Sequence, residues 1–277
     1  MSLFVASLNS GSNGNCYYIG NQEEAVLIDG GISCREIEKR MKRLGLSIKL
    51  VKGVVVSHEH GDHIHGVATL AKKHKLPIYI TPETLRNGNI VIKEDRIFTF
   101  RANEPFRFGK LTVTAFPKFH DAFDPHSFMV SSDTVNIGIF TDIGIPCENV
   151  IHHFKQCHAA FLEANYDESM LEHGGYPRAL KNRISSDTGH LSNKQAMQLF
   201  TTHRPGFMTH LFLSHLSKHN NTPKIVKEMF YPVAGSTQII IAPRDKETKL
   251  YHIRNVDHLK SIKPQADHKQ NQLALLF

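Results

Sequence analysis

The chain has no C-x-x-C pair, no apolar run of membrane length, and no repeat or low-complexity tract before about residue 255. Cys16, Cys34, Cys147 and Cys157 show no paired spacing. With no export signal visible, they are expected to be reduced and structural. No segment approaches the roughly 20 apolar residues needed to cross a bilayer. Met1-Ser2-Leu3-Phe4-Val5-Ala6-Ser7 lacks a basic region followed by a long apolar stretch, so it does not read as a leader. Phe4–Leu8 reads better as a first strand, and the cytoplasm is the expected location. The lack of a long linker favours one domain over residues 1–255, with a polar tail at 256–277.

At 277 residues and 40% hydrophobic content the chain can bury a sizeable core. Its net charge is +7 with histidine neutral, which favours a polyanionic partner but does not identify one. The 19 histidines exceed any metal or catalytic need. His152, His153, His158, His173, His203 and His252 lie outside any ligand spacing and are expected on the surface or in the core.

One stretch stands apart. His58-Glu59-His60-Gly61-Asp62-His63 follows the apolar run Val54-Val55-Val56. Imidazole and carboxylate are the donors that zinc, manganese and iron prefer. In an extended segment His58 and His60 point the same way, so one cation can take both. Asp62 and His63 lie past a turn at Gly61 and can serve a second cation.

The remaining pattern is a layered α/β arrangement. Strands are expected at Phe4–Leu8, Cys16–Ile19, Ala25–Ile28, Gly53–Ser57, Pro77–Ile80, Arg96–Phe100 and Leu111–Pro117. Others are expected at Ser127–Ser131, Val135–Thr141, Ala159–Glu163, His210–Ser214, Gln238–Ile241 and Lys249–His252. Helices are expected at Ser33–Leu44, His63–His74, Pro146–Gln156, Tyr176–Ile184, Asn193–Thr202 and Pro223–Tyr231. Thr222-Pro223 supplies an N-cap and a first-turn proline.

The H-x-H-x-D-H pattern resembles the signature of the metallo-β-lactamase superfamily. Further matches follow in the superfamily's order: Asp29 in Leu27-Ile28-Asp29-Gly30-Gly31, His120 in Lys118-Phe119-His120-Asp121, Asp142 in Phe140-Thr141-Asp142, and His215 in Ser214-His215-Leu216-Ser217. Within the superfamily the chain is similar to the bacterial YycJ/WalJ group. The residues that carry this are Ser10–Asn15, Glu163-Ala164-Asn165-Tyr166-Asp167, Tyr176-Pro177, Arg183-Ile184, Gly189–Asn193 and Asn220-Asn221. The resemblance implies a four-layer αβ/βα sandwich and a two-metal phosphodiesterase, a 5′-to-3′ DNA exonuclease. It implies His58, His60 and His120 on one cation, Asp62, His63 and His215 on the other, and Asp142 bridging. Two such cations about 3.5–4 Å apart can hold a hydroxide between them and clamp both oxygens of an in-line displacement. Zinc, manganese and iron all suit these donors.

Asp29 either holds a ligating imidazole by its ring N–H or forms a plain Asp-Gly-Gly turn. For the third histidine His120 is preferred to His126 because it closes the apolar-alternating run Leu111–Phe119, while Asp121 and Asp124 could also reach a metal. Asp62 and His190 are the expected catalytic residues. His190 lies just before a helix that Ser192 can cap, where it can neutralise a phosphate or protonate a leaving oxygen; it can also be a helix-entry residue without chemistry. Ser12, Asn15, Arg183 and Asn221 are candidate substrate contacts, and Arg178, Lys181 and Lys194 can track a phosphate backbone. A Gly/Asn-rich turn, a solvated basic face and a helix-preceding asparagine are their plain alternatives.

After Pro264 the sequence turns polar and then ends Gln272-Leu273-Ala274-Leu275-Leu276-Phe277. This resembles the peptide with which bacterial replication and repair proteins dock onto the sliding clamp, and it favours DNA and a repair role. Two other activities fit the same metal residues. One is a ribonuclease, although the segment from Asp142 to His215 leaves no room for a large β-CASP insertion. The other is a thioester or lactam hydrolase.

Overall fold

The computed structural model describes residues 2–255; the 256–277 tail, with its clamp-like Gln272–Phe277, lies outside the described residues. The first half supplies β1 (Leu3–Asn9), β2 (Cys16–Gly20), β3 (Ala25–Ile28), β4 (Val51–Val55), β5 (Ile78–Tyr79) and β6 (Ile97–Phe98). The second supplies β7 (Phe106–Phe108), β8 (Leu111–Pro117), β9 (His126–Ser131), β10 (Asn136–Phe140), β11 (Ala159–Glu163), β12 (His210–Ser214) and β13 (Gln238–Ile241), and β14 (Tyr251–Ile253) returns to β1. The helices are α1 (Cys34–Arg43), α2 (Gly61–Ile64), α3 (Val67–His74), α4 (Pro82–Asn87), α5 (Glu148–Phe154), α6 (Glu168–His173), α7 (Arg178–Ile184), α8 (Asn193–His203) and α9 (Pro223–Phe230).

Two seven-stranded sheets result, in the orders β14-β1-β2-β3-β4-β5-β6 and β13-β12-β11-β10-β9-β8-β7. Each is antiparallel in one half and parallel in the other: β3 to β6 run parallel, as do β10 to β13. Burial follows pairing. In β8, Leu111, Val113 and Ala115 are buried while Thr112 and Thr114 are half-buried, the period-2 pattern of an antiparallel strand. In β11, Ala-Ala-Phe-Leu-Glu is buried throughout, as a parallel strand covered on both faces should be.

The sheets face each other across a core in which Tyr17 of β2 packs on Phe161 of β11 at 4.9 Å between ring centroids. Helices α1 and α3 cover the outer face of the first sheet, and α5, α8 and α9 cover that of the second. This is the expected four-layer αβ/βα sandwich. Helix α1 buries Cys34, Ile37 and Met41, an i, i+3, i+7 stripe, and starts where the Ser33 side chain accepts the Glu36 amide. At α8, Ser192 and Gln195 form a reciprocal capping box. Thr222 caps α9 with Pro223 in its first turn, as the sequence suggests.

The expected elements recur with ends shifted by a residue or two, but β7, α4 and α6 had no expectation. The helix expected at His63–His74 is two helices, and Gly61 opens the first rather than forming a turn. Gly66 breaks them apart because its amide donates to Gly30 O at 2.7 Å. A Cβ there would lie 2.0 Å from Ile32 O. Among the described residues no helix is long and apolar enough to cross a membrane. All four cysteines are free.

Candidate metal centre

The polar residues gather where parallel strands end. Asp29 follows β3, His58 to His63 follow β4, Asp142 follows β10, Glu163 ends β11 and His215 follows β12. Asp29, Asp142 and His215 have left-handed backbones, with φ of 60°, 56° and 56°. They are three of the six non-glycine residues with positive φ among those described, so backbone strain is concentrated at this rim. The Asp29-Gly30-Gly31 turn is pressed against the ligand segment: a Cβ on Gly31 would lie 1.6 Å from Asp62 O.

His58 Nε2 lies 3.2 Å from His60 Nδ1, which lies 3.3 Å from His120 Nε2. Hydrogen bonds on the far side of each ring set the tautomers. His58 Nδ1 meets Ser57 Oγ at 2.9 Å, and that hydroxyl donates to Asp29 Oδ2 at 2.9 Å. His120 Nδ1 donates to Gly189 O at 3.1 Å. Both Nε2 lone pairs are thereby left for a cation. Burial pushes His58 well below its ordinary range and His120 down to about 3, so both rings are neutral at pH 7.

Beside this trio lies a second set. Asp62 Oδ2 is 3.7 Å from His63 Nε2 and 3.6 Å from His215 Nε2. Asp142 Oδ2 is 3.0 Å from His63 Nε2, and Asp142 also groups with His58 and His63. Each imidazole is held through Nδ1 by a buried carboxylate, His63 by Asp29 at 2.8 Å and His215 by Glu163 at 2.8 Å. Burial would lower both histidines, yet the neighbouring carboxylates lift His63 well above its usual value and His215 to about 10. Burial likewise opposes ionisation of Asp62 and Asp142. The facing imidazoles nonetheless hold Asp62 at about 2 and Asp142 well below the carboxylate range.

Asp142 Oδ2 and His215 Nε2 are buried and make no well-aligned hydrogen bond, although His63 Nε2 and Asp62 Oδ2 lie 3.0 Å and 3.6 Å from them. Leaving such groups unmet costs about 1–3 kcal/mol each. A divalent cation would satisfy both, and the surrounding His/Asp donors suit one.

The two sets should load differently with pH. A cation binding the second set must displace the protons that the carboxylates hold on His63 and His215. Its apparent affinity should therefore rise about tenfold per pH unit for each imidazole below its raised pKa. His58 and His120 are neutral, with Nε2 free of a proton, and impose no such dependence. Calorimetry in buffers of different ionisation enthalpy should show proton release for one cation and little for the other. Equal release for both would contradict this arrangement.

Sequence reasoning assigned no role to Glu163. It is wholly buried and accepts from His190 Nδ1 and His215 Nδ1 at 2.8 Å each, Ile143 N at 2.8 Å and Leu191 N at 3.3 Å. Although burial opposes its ionisation, His190 and His215 hold its carboxyl at about 2. A lone acidic residue closing the otherwise apolar β11 is the signal that could have found it, since a buried charge needs partners. Asn165 Nδ2 donates to His215 O, and Ser10 Oγ accepts the His215 amide.

His190 comes to the cluster, its ring 5.3 Å from those of both His120 and His215, and its side chain 16% exposed. His126 does not. Its Nδ1 lies 3.0 Å from Asp124 O and its ring sits edge-on to Phe100. Asp29 Oδ2 lies 2.8 Å from His63 Nδ1, and the Asp29 backbone also makes the turn. Arg183 lies at the edge, paired with Asp121 at 2.5 Å. Ser12 is exposed and accepts from Arg244 at 3.2 Å.

Two expected substrate contacts are corrected. Asn221 is buried, and its amide is spent on Ala164 O, Asn165 O and the Asn193 side chain. Asn15 is buried with its amide oxygen accepting from Gly11 N and Tyr17 OH. Its Nδ2 lies 3.0 Å from His63 Nε2 and 3.3 Å from Asp62 Oδ2, so it braces the ligand segment. Away from the site, His153 stacks on Phe116 and His252 on Phe4. Cys34, Glu38 and His74 also approach one another, but Glu38 is already paired with Lys73 and His74.

A family model for a β-lactamase superfamily domain matches residues 24–215. The chain is 34% identical over 232 residues to the exodeoxyribonuclease YycJ of Bacillus anthracis, covering 82% of this chain and 87% of that one. It is 30% identical over 223 residues to the exodeoxyribonuclease WalJ of Streptococcus pneumoniae, covering 79% and 83%. The crystal structure of the metallo-β-lactamase fold protein YhfI from Bacillus subtilis superposes with a TM-score of 0.71 at 15% identity, over 91% of this chain and all of the other. The chain belongs to the metallo-β-lactamase superfamily, in its YycJ/WalJ group, and is a metal-dependent hydrolase of that fold.

Proposed function

We propose that this hydrolase is a two-metal phosphodiesterase and a 5′-to-3′ DNA exonuclease. The observation that carries the two-metal reading is the pair of adjoining donor sets that meet at Asp142, with two buried donor atoms that make no well-aligned hydrogen bond. His58, His60 and His120 would hold one cation and Asp62, His63 and His215 the other, with Asp142 between the two sets. Zinc, manganese and iron all suit these donors. When bound, the cations supply Lewis acidity to the phosphate and an acidified water.

The chain's own groups do the rest. Asp29 and Glu163 orient His63 and His215, which keeps the donors fixed while charge develops. His190 is tied to Glu163 through Nδ1, so its Nε2 remains to meet a phosphate oxygen or protonate the leaving oxygen. Arg183 and Ser12 stand at the edge as candidate backbone contacts. The net charge of +7 and the exodeoxyribonuclease relatives support a nucleic-acid substrate. A repair role through a sliding clamp rests on Gln272–Phe277 alone, and clamp binding by the chain with and without those residues tests it.

End-labelled single- and double-stranded DNA, with matched 5′-phosphorylated RNA, should be digested with added manganese or zinc. DNA shortened stepwise from its 5′ end supports the proposal. Faster degradation of RNA would make the protein a ribonuclease, and turnover of thioester or nitrocefin alone would remove nucleic acid from its function.

A further inference from the structure

The loop after β13 brings Arg244 to the donor rim. β13 runs parallel to β12, and Ala242 N donates to Leu213 O at 2.8 Å, so the chain leaves this strand beside His215. Arg244 is half-buried. Its Nη1 donates to Leu216 O at 2.6 Å and its Nη2 to Ser12 Oγ at 3.2 Å, while Asn13 Nδ2 donates to the Arg244 carbonyl at 2.9 Å. Loop 10–15 leaves room for the guanidinium: Gly11 has φ 130°, and a Cβ there would lie 2.5 Å from Arg244 Nη1. The same loop braces the second donor set, since Ser10 Oγ accepts the His215 amide and Asn15 Nδ2 lies 3.3 Å from Asp62 Oδ2.

A charge taken partly out of water is costly unless it is paired. Arg244 forms no ion pair among the described residues, and burial pushes its guanidinium below the ordinary arginine range. Arg183 is already paired with Asp121. Half-buried Arg204 spends Nη1 on Val233 O and Ala234 O and lies over the Phe200 ring. The rest of the Arg244 fork has no protein acceptor among the described residues, and a planar fork of this kind matches phosphate oxygens. The two guanidiniums also stand by different donor sets. Arg183 reaches the first through Asp121, which lies 3.4 Å from His120 Nε2, and Arg244 adjoins the second.

We propose that Arg244 and Ser12 form a phosphate subsite that holds a phosphate of the substrate strand next to the one that is cleaved. This rests on the nuclease reading above. The cleaved phosphate belongs at the donor sets, and its neighbours along the strand carry the same charge one nucleotide away. A guanidinium already fixed by Leu216 O and Ser12 Oγ meets such a phosphate without first being ordered. The phosphate in turn supplies the counter-charge that Arg244 lacks. Contacts of this kind set the register of a strand and carry no base preference. A 5′-terminal phosphate and an internal one present the same chemistry, so the experiment has an arm for each.

Metal-loaded wild type, Arg244→Gln and Arg244→Lys are compared on 3′-labelled DNA in two assays: anisotropy binding to a phosphorothioate strand, and hydrolysis of the ordinary strand. Arg244→Gln should bind about 10- to 100-fold more weakly. Its slope of log affinity against log salt should shrink by about one. Arg244→Lys keeps the charge, and should keep that slope while losing part of the affinity with the fork. Two substrate changes locate the phosphate. In one arm a 5′-hydroxyl replaces the terminal phosphate; in the other a neutral methylphosphonate replaces each of the next internal phosphates in turn. Removing the contacted phosphate should weaken wild type by the factor that Arg244→Gln does, and should weaken Arg244→Gln no further. An unchanged salt slope in Arg244→Gln, or the same loss on every substrate, would overturn the subsite, because an arginine that only supports the loop behaves that way. Should Arg244→Gln fail to fold, Arg244→Lys carries the test, and wild-type affinity in it overturns the subsite. A wild type that shows the coupling without hydrolysis defeats the nuclease reading and leaves the subsite standing. Hydrolysis without coupling does the reverse, and a wild type that binds no DNA defeats both.

Discussion

Asp142→Asn is expected to lower kcat/KM on DNA by at least about a thousandfold, with the fold intact. Asp142 lies where the two donor sets meet, and its buried Oδ2 makes no well-aligned hydrogen bond, His63 Nε2 lying 3.0 Å away. Losing that charge removes several kcal/mol of support for the cations that stabilise the developing phosphate charge, and each 1.36 kcal/mol is tenfold in rate. Asparagine is the informative replacement because Asp142 has φ 56°, a region that asparagine tolerates and alanine resists by about 1–2 kcal/mol. Metal analysis should show a lower metal content, and circular dichroism an unchanged spectrum. Retention of the full rate with full metal content would remove Asp142 from the mechanism and with it the shared two-metal site.

Glu163→Gln is expected to be nearly as damaging, for a different reason. The carboxylate accepts from His190, His215 and two backbone amides while wholly buried. An amide offers one acceptor oxygen and turns its NH₂ toward other donors. Breaking one side of such a buried charged network typically costs about 3–5 kcal/mol, and loosening a ligating histidine costs about 10–100-fold in metal affinity. The pH dependence has a definite sign. Glu163 is held at about 2 in the folded chain, below its ordinary 4.5. Its stabilisation is therefore fully present above pH 4.5 and fades as acid protonates it toward pH 2. Denaturant unfolding of the metal-free proteins should show the gap between wild type and variant wide at pH 7 and narrowing through that window. A constant gap, or metal affinity unchanged for the second cation, would mean that Glu163 only fills space.

The donor residues were legible because local chemistry set them apart. His58 to His63 crowd ligands into six positions after an apolar run, and Asp29, Asp142 and His215 each interrupt or close another such run. Glu163 was passed over because it closes β11 without any neighbouring donor in sequence; its four main partners come from residues 143, 190, 191 and 215. Asn15 and Asn221 were misjudged for the converse reason. A polar side chain in a Gly- or Asn-rich segment looks available until the fold shows what has already claimed its amide.

Periodicity, caps and ligand spacing were properties of short segments, so the sequence alone determined the alternation of strands and helices, the family, and which histidines and aspartates were candidates for metal. Tertiary packing decided what depends on distance between remote segments. It set His120 beside His60 and His126 against Phe100, split one helix at Gly66 so that the chain could meet Gly30, and joined His215 to Glu163 and His63 to Asp29. It also brought Arg244 onto Leu216 and Ser12. Hydrogen bonds and ion pairs act over a few ångströms whatever the separation along the chain. Only the closed sandwich, which brings the ends of β3, β4, β10, β11 and β12 to one rim, sets those distances.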